Sequence, residues 1–177
     1  MIDAAQTLSA PSAASLIGIA GLAVRVASPL LSRRETILTA QLAATCLFAT
    51  SYTLMDHRTA ASVCLIGAAQ AAVALIAGNR PWLGKMGYVF MPVVLAMGVA
   101  TFSGLPTILA VTACCLTMVG RLQTDLMRMR GIQLCANPFG AAHDVVVGAW
   151  PCLAGAVLSF TVAAIAFRRE WRRRAPA

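Results

Sequence analysis

Apolar runs of about twenty residues recur along the chain, and that is the length a helix needs to cross a bilayer. Seven such runs are predicted as membrane-spanning helices. The first covers 11–32 and stops at Arg33-Arg34. The second covers 36–55 and stops at Asp56-His57-Arg58. The third covers 59–78 and stops at Asn79-Arg80-Pro81. The fourth, fifth, sixth and seventh cover 83–101, 104–120, 124–148 and 150–167. The polar breaks between runs are short, so consecutive helices are predicted to run antiparallel.

Polar residues inside the runs follow a helical period. In the sixth run Arg130, Gln133, Asn137, Gly140 and Asp144 succeed one another at steps of three and four. At 3.6 residues per turn these positions share one face. His143 flanks that stripe. Pro138, within the same run, removes a backbone donor and leaves a carbonyl free. The second run carries a similar stripe of Gln41, Thr45, Tyr52 and Asp56. An ionisable group in a span costs a few kcal/mol at mid-depth and normally faces the bundle interior or a wet cavity. Arg25 in the first run lies within snorkelling reach of the inner end and reads equally as an anchor and as a functional cation. Gln70 in the third run reads first as interhelical glue, as Gln41 and Gln133 also can.

The runs also suggest an internal repeat. Predicted starts of the first and fifth, second and sixth, and third and seventh runs differ by 93, 88 and 91 residues. Two three-helix units, 11–78 and 104–168, would then be joined by a linker helix at 83–101. An odd linker gives both units the same orientation, so the expected fold is an all-α seven-helix transmembrane bundle of two parallel repeats (three, one, three). Residues 168–177 form a basic tail expected to be cytoplasmic.

Composition strengthens the membrane reading. The chain has 177 residues, 59% hydrophobic and 11% charged, with mean hydropathy +0.79. A soluble domain carries about a quarter charged residues. The net charge of +8 raises the possibility of nucleic acid, but the basic residues sit in short clusters between apolar runs, so no nucleic-acid partner is expected. With the N-terminus outside, Arg33, Arg34, Arg80, Lys85, Arg121, Arg128, Arg130 and the five tail arginines all fall inside, and only Arg58 falls outside. That asymmetry predicts N-out, C-in. The N-terminus lacks the positive region of a secretory signal, so the first run is expected to be a retained helix. The six cysteines have no CxxC spacing and read as small buried hydrophobes. No hydrolase, metalloprotease or phosphate-loop motif occurs, so neither an enzyme nor a cofactor is expected.

LFATSYTLMDHRTAAS (Leu47 to Ser62) and GAAHDVVVGAW (Gly140 to Trp150) resemble the YgjV-type family of bacterial inner-membrane proteins. Arg33-Arg34, Gln41, Tyr52, Thr59-Ala60-Ala61, Leu105-Pro106 and His143-Asp144 carry the likeness through most of the chain. The third helix departs from the family pattern, with Ile66 and Ala69 where Asn and Arg stand, and Gln70 next door. The resemblance implies a small multi-pass inner-membrane protein. Its helix plan resembles that of SWEET and PQ-loop-type transporters, although this chain has no Pro-Gln dipeptide.

The function expected from these observations is a small-molecule transporter or facilitator with a polar path between the repeats. Its expected solute contacts are Gln41, Tyr52 and Arg25 from one unit and Gln133, Asn137, His143 and Asp144 from the other. Asp144 would bind a cation or carry a proton. Asn137 would hydrogen-bond a small polar solute. Partners are then the lipid bilayer, that solute and possible further copies of the chain. The rival class is a non-transporting scaffold, assembly factor or regulatory subunit whose stripes only pack helices; an intramembrane enzyme is the third.

Overall fold

The computed structural model describes residues 13–56, 58–78 and 80–174. Among these, all regular structure is helical. The α-helices are α1 (Ala13–Ala27), α2 (Arg34–Leu54), α3 (Arg58–Ala77), α4 (Pro81–Met86), α5 (Phe90–Ala100), α6 (Leu105–Leu122), α7 (Leu126–Val146) and α8 (Trp150–Arg174). Two short 3-10 segments, Ser28–Leu30 and Gly87–Val89, extend α1 and join α4 to α5. Each of the seven predicted runs is therefore helical, the fourth as α4, a 3-10 turn and α5. Pro11 and Ser12 of the first run, His57, Asn79 and the tail beyond Arg174 lie outside the described residues.

The breaks have local causes. Pro29 cannot donate to the Arg25 carbonyl, and the Ser28 hydroxyl donates to it at 2.8 Å instead, so α1 tightens into a 3-10 turn. Pro92 likewise cannot donate to the Tyr88 carbonyl, which falls in the 3-10 segment between α4 and α5. Gly87 in that segment faces Leu122 so closely that a Cβ would clash with the leucine side chain. That approach seats the linker on the end of α6.

Six helical segments are long and apolar enough to cross a membrane: Ala13–Leu30, Arg34–Leu54, Ala60–Ala77, Trp82–Ala100, Leu105–Leu122 and Cys152–Arg174. The sixth predicted run is the exception. α7 has 21 residues, but Arg128, Arg130, Gln133, Asn137, His143 and Asp144 make it too polar for that group. It packs between α6 and α8, as α2 packs between α1 and α3. α1 also meets α8 and α3 meets α6, while α4 and α5 run from α3 to α6. α8 continues unbroken to Arg174, so the first residues of the predicted tail are helical turns rather than a free extension.

One end of the bundle gathers the C-termini of α3 and α6, where backbone carbonyls lack helical partners. Arg34 answers them. Its guanidinium donates to the carbonyls of Ala74, Gly78, Arg121 and Gln123 at 2.7–3.4 Å. Arg130 donates to the carbonyls of Leu31, just past the end of α1, at 2.6 Å and of Ala166, inside α8, at 3.0 Å, with Glu170 at 3.9 Å. Beside these arginines Ile37, Leu38, Ala74, Leu122 and Met129 form a buried apolar cluster. Arg34, which ends the first predicted run, and Arg130, which begins the polar stripe of the sixth, are thus side chains that tie helices together at this end.

Arg34→Leu should lose about 2–4 kcal/mol of stability, since four carbonyls at helix ends lose a charged donor. Arg34→Lys should recover only part, because an ammonium cannot fan across four acceptors. Thermal unfolding of the purified protein checks both. Asp125 gives a pH test. Its carboxylate accepts the Arg128 backbone N–H at 2.9 Å and Arg174 Nη1 at 3.0 Å. These bonds, the backbone one foremost, hold its carboxyl below the ordinary carboxylate range. The stabilisation is complete above roughly pH 4 and is lost as pH falls through the lower folded value. Asp125→Asn should flatten the acid limb of the stability–pH curve.

Candidate functional site

α2 and α7 are both 21 residues long, and their first residues, Arg34 and Leu126, stand as far apart as Gln41 and Gln133, which are 92 residues apart. The two glutamines therefore occupy the same place on their helices, two turns from the start. They meet across the middle of the bundle. Gln41 Nε2 donates to Gln133 Oε1 at 3.1 Å, and Gln133 Nε2 reaches Gln41 Oε1 at 3.4 Å. Thr45, one turn further along α2, donates to the Gln41 carbonyl at 2.6 Å and fixes that turn.

Arg121 completes the network. It lies in the last turn of α6 and is only 6% exposed. Gly120 beside it lets α6 and α7 approach: a Cβ there would sit 2.8 Å from Gln133 Cγ. The Arg121 guanidinium donates from Nε to Gln41 Oε1 at 3.0 Å, and from Nη1 to the Gly67 carbonyl at 3.1 Å and Gln70 Oε1 at 3.3 Å. Gln70 is fully buried and donates in turn to the Met118 carbonyl at 3.1 Å. An ion taken out of water costs several kcal/mol unless hydrogen bonds replace its hydration. Here neutral amides and carbonyls from α2 and α3 do so. Nη2 has no hydrogen-bond partner among the described residues, yet it is not sealed in protein.

A cavity of about 60 Å³ lies at this network. Most of the residues that line it have polar side chains, and it holds more than one water's worth of space. Arg25, Gln41 and Thr45 line it from α1 and α2; Thr117, Arg121, Gln133, Asn137 and Ser159 line it from α6, α7 and α8. No Asp or Glu does so. The Arg25 side chain makes no hydrogen bond or ion pair with the described residues. One turn from the two glutamines, toward the arginine-stapled end, Leu38 and Met129 are wholly buried. In the other direction Gly140 meets open space: a Cβ there would touch nothing within 4 Å.

Four of the seven sequence-derived site residues, Gln41, Gln133, Asn137 and Arg25, meet at this cavity. The other three lie further toward the opposite end. His143 Nδ1 and Asp144 Oδ1 are 3.1 Å apart. His143 lines a separate, larger cavity of about 300 Å³ whose walls include Val94, Met97 and Val111. Tyr52 is half-buried near the far end of α2. The sequence reading missed Arg121. It ended the fifth run at Gly120 and placed Arg121 in a connection, whereas the helix continues through Leu122 and turns the arginine inward. The apolar Leu122 directly after the arginine was the available signal.

A family model described as Imp-YgjV, bacterial inner membrane protein, matches residues 12–174. The chain belongs to that family and is a multi-pass protein of the bacterial inner membrane. No curated protein and no solved structure matches it.

The glutamine pair should behave as a unit. Gln133→Leu and Gln41→Leu should each cost about 1–3 kcal/mol, because each leaves a buried polar partner unmatched. Gln41→Leu should cost more, since it also strips Arg121 Nε of its acceptor. The double variant should be less damaging than the two single losses added together, by about 0.5–3 kcal/mol. Chemical or thermal unfolding of the four proteins in a double-mutant cycle measures this directly.

Proposed function

We propose that this inner-membrane protein is a transporter or facilitator for a small polar solute, and that it performs no chemistry on that solute. Helices α1–α3 and α6–α8 act as two parallel repeats joined by α4 and α5, with the N-terminus outside and the C-terminus inside. The supporting observation is the polar cavity at the meeting of both units, lined from α1, α2, α6, α7 and α8. The shared spacing of α2 and α7 and the facing glutamines at equivalent places fit a repeat with the site between its halves. The gathering of Arg34, Arg121, Arg130 and Arg174 toward one end fits the positive-inside orientation.

In this reading the structure is closed toward the inside and approachable from the outside. Leu38 and Met129 form the inner plug, backed by the Arg34 and Arg130 staples. The stripe of Asn137, Gly140 and Asp144 marks the outer approach. Gln41 and Gln133 hold the two units together at the floor of that approach. Passage needs the plug to open, and rocking of one unit against the other about the glutamine contact would do it.

The density of direct side-chain bonds also favours a second reading, in which the network only locks helices in a scaffold. Water access separates the two. In a background lacking the six native cysteines, Asn137→Cys and Ala141→Cys should react with a membrane-impermeant thiol reagent added from outside. Ala136→Cys, at a position 3% exposed, should not. Protection at 137 and 141 in a folded protein favours the scaffold and removes the path.

A further inference from the structure

The sign of the charge around the cavity carries a further conclusion, which rests on the reading of this cavity as a solute site. Two arginines, Arg25 and Arg121, line the same cavity, and no carboxylate among the described residues does. The Arg121 contacts are with glutamine oxygens and a backbone carbonyl, which solvate the charge without neutralising it. Arg25 has neither hydrogen bond nor ion pair among the described residues, although it stands within a span. The described acids stand elsewhere: Glu35, Asp125 and Glu170 toward the arginine-stapled end, Asp56 and Asp144 toward the opposite end. Arg121 is buried and Arg25 is exposed, and two like charges at one cavity without a carboxylate between them repel each other.

We propose that the cavity binds a small planar monoanion, a carboxylate or an oxyanion of nitrate size. Its charge would lie between Arg25 and Arg121, whose Nη2 has no hydrogen-bond partner among the described residues. Planar oxyanions suit a guanidinium edge because two oxygens can meet adjacent N–H groups. The Asn137 amide, which also lines the cavity, would supply a neutral donor for a remaining oxygen. At about 60 Å³ the cavity has room for an anion of a few heavy atoms. The occupant neutralises one of the two positive charges, so binding also relieves the repulsion between the arginines.

The test compares anions with neutral isosteres of the same shape. Purified full-length protein is titrated at constant ionic strength with sodium nitrate and sodium acetate, and in parallel with urea and acetamide, and thermal stabilisation or heat is measured. Nitrate and acetate should bind saturably and the neutral pair should not. Arg25→Gln, which breaks no hydrogen bond of the fold, should weaken nitrate binding about tenfold or more. Arg121→Gln should abolish it, and its folding is checked separately because it also cuts the glutamine network. Equal binding of urea and nitrate, or nitrate affinity unchanged in Arg25→Gln, overturns the proposal. Nitrate-concentration jumps on protein adsorbed to a solid-supported membrane then separate the two claims. Nitrate binding without charge movement keeps the anion site and removes the path. Urea flux into proteoliposomes without nitrate binding keeps the path and removes the anion site.

Discussion

A guanidinium buried inside a lipid-embedded bundle is the constraint from which the rest of this structure follows. Arg121 cannot shed its proton and cannot be left bare in a medium of low dielectric. Its neighbours must therefore present acceptors, and the sequence provides them on separate helices: Gln41 on α2, Gln70 and the Gly67 carbonyl on α3. Gln41 then has a spare amide N–H, and Gln133 on α7 accepts it. One charge thus ties α6 to α2, α3 and α7. The cost of burial is also why the cavity beside it is polar: hydrogen-bonding groups and any water there continue the solvation of the charge.

The same logic operates at the arginine-stapled end in a different form. Helix C-termini present carbonyls without partners and a negative dipole end. Half-buried Arg34 meets those of α3 and α6, buried Arg130 meets Leu31 past the end of α1, and the apolar cluster of Leu38, Leu122 and Met129 lies beside them. These contacts are dense and local. A conformational change that opens this end must break several charged hydrogen bonds together, which gives a two-state character rather than a gradual loosening. The opposite end has fewer such ties: a surface pair between Arg58 and Asp56, the His143–Asp144 contact and the Ser51 bond to the Ala14 carbonyl. Among the described residues, bonding is thus denser at the arginine-stapled end than at the other.

Much of this was legible in the chain because hydrocarbon allows few choices. Runs of span length had to be helices, and the three-four steps of Gln133, Asn137 and Gly140 had to fall on one face. Gln41 was found because a glutamine in an apolar run needs a partner. What the sequence did not reveal was direction at the ends of runs. Arg121 and Arg34 read as boundary charges, since a single residue's burial depends on whether the helix continues past it and which way it faces. Leu122 extends α6, and Gly120 lets it close on α7; neither effect has a periodic signature. The α7 stripe was read as one continuous path, but it divides by depth. Arg130 staples the end, Gln133 and Asn137 border the cavity, and Asp144 pairs with His143. Pro138 neither breaks α7 nor shortens it.

The central claim is that Arg121 faces a wet, positively charged cavity between two helical units. A high-resolution density map of the protein in lipid nanodiscs tests it most directly. The account predicts ordered water or a small ligand against Arg121 Nη2, with the Arg25 guanidinium turned toward the same space. A dry centre, with Arg121 packed against apolar side chains and Arg25 extended to the lipid headgroups, would contradict it.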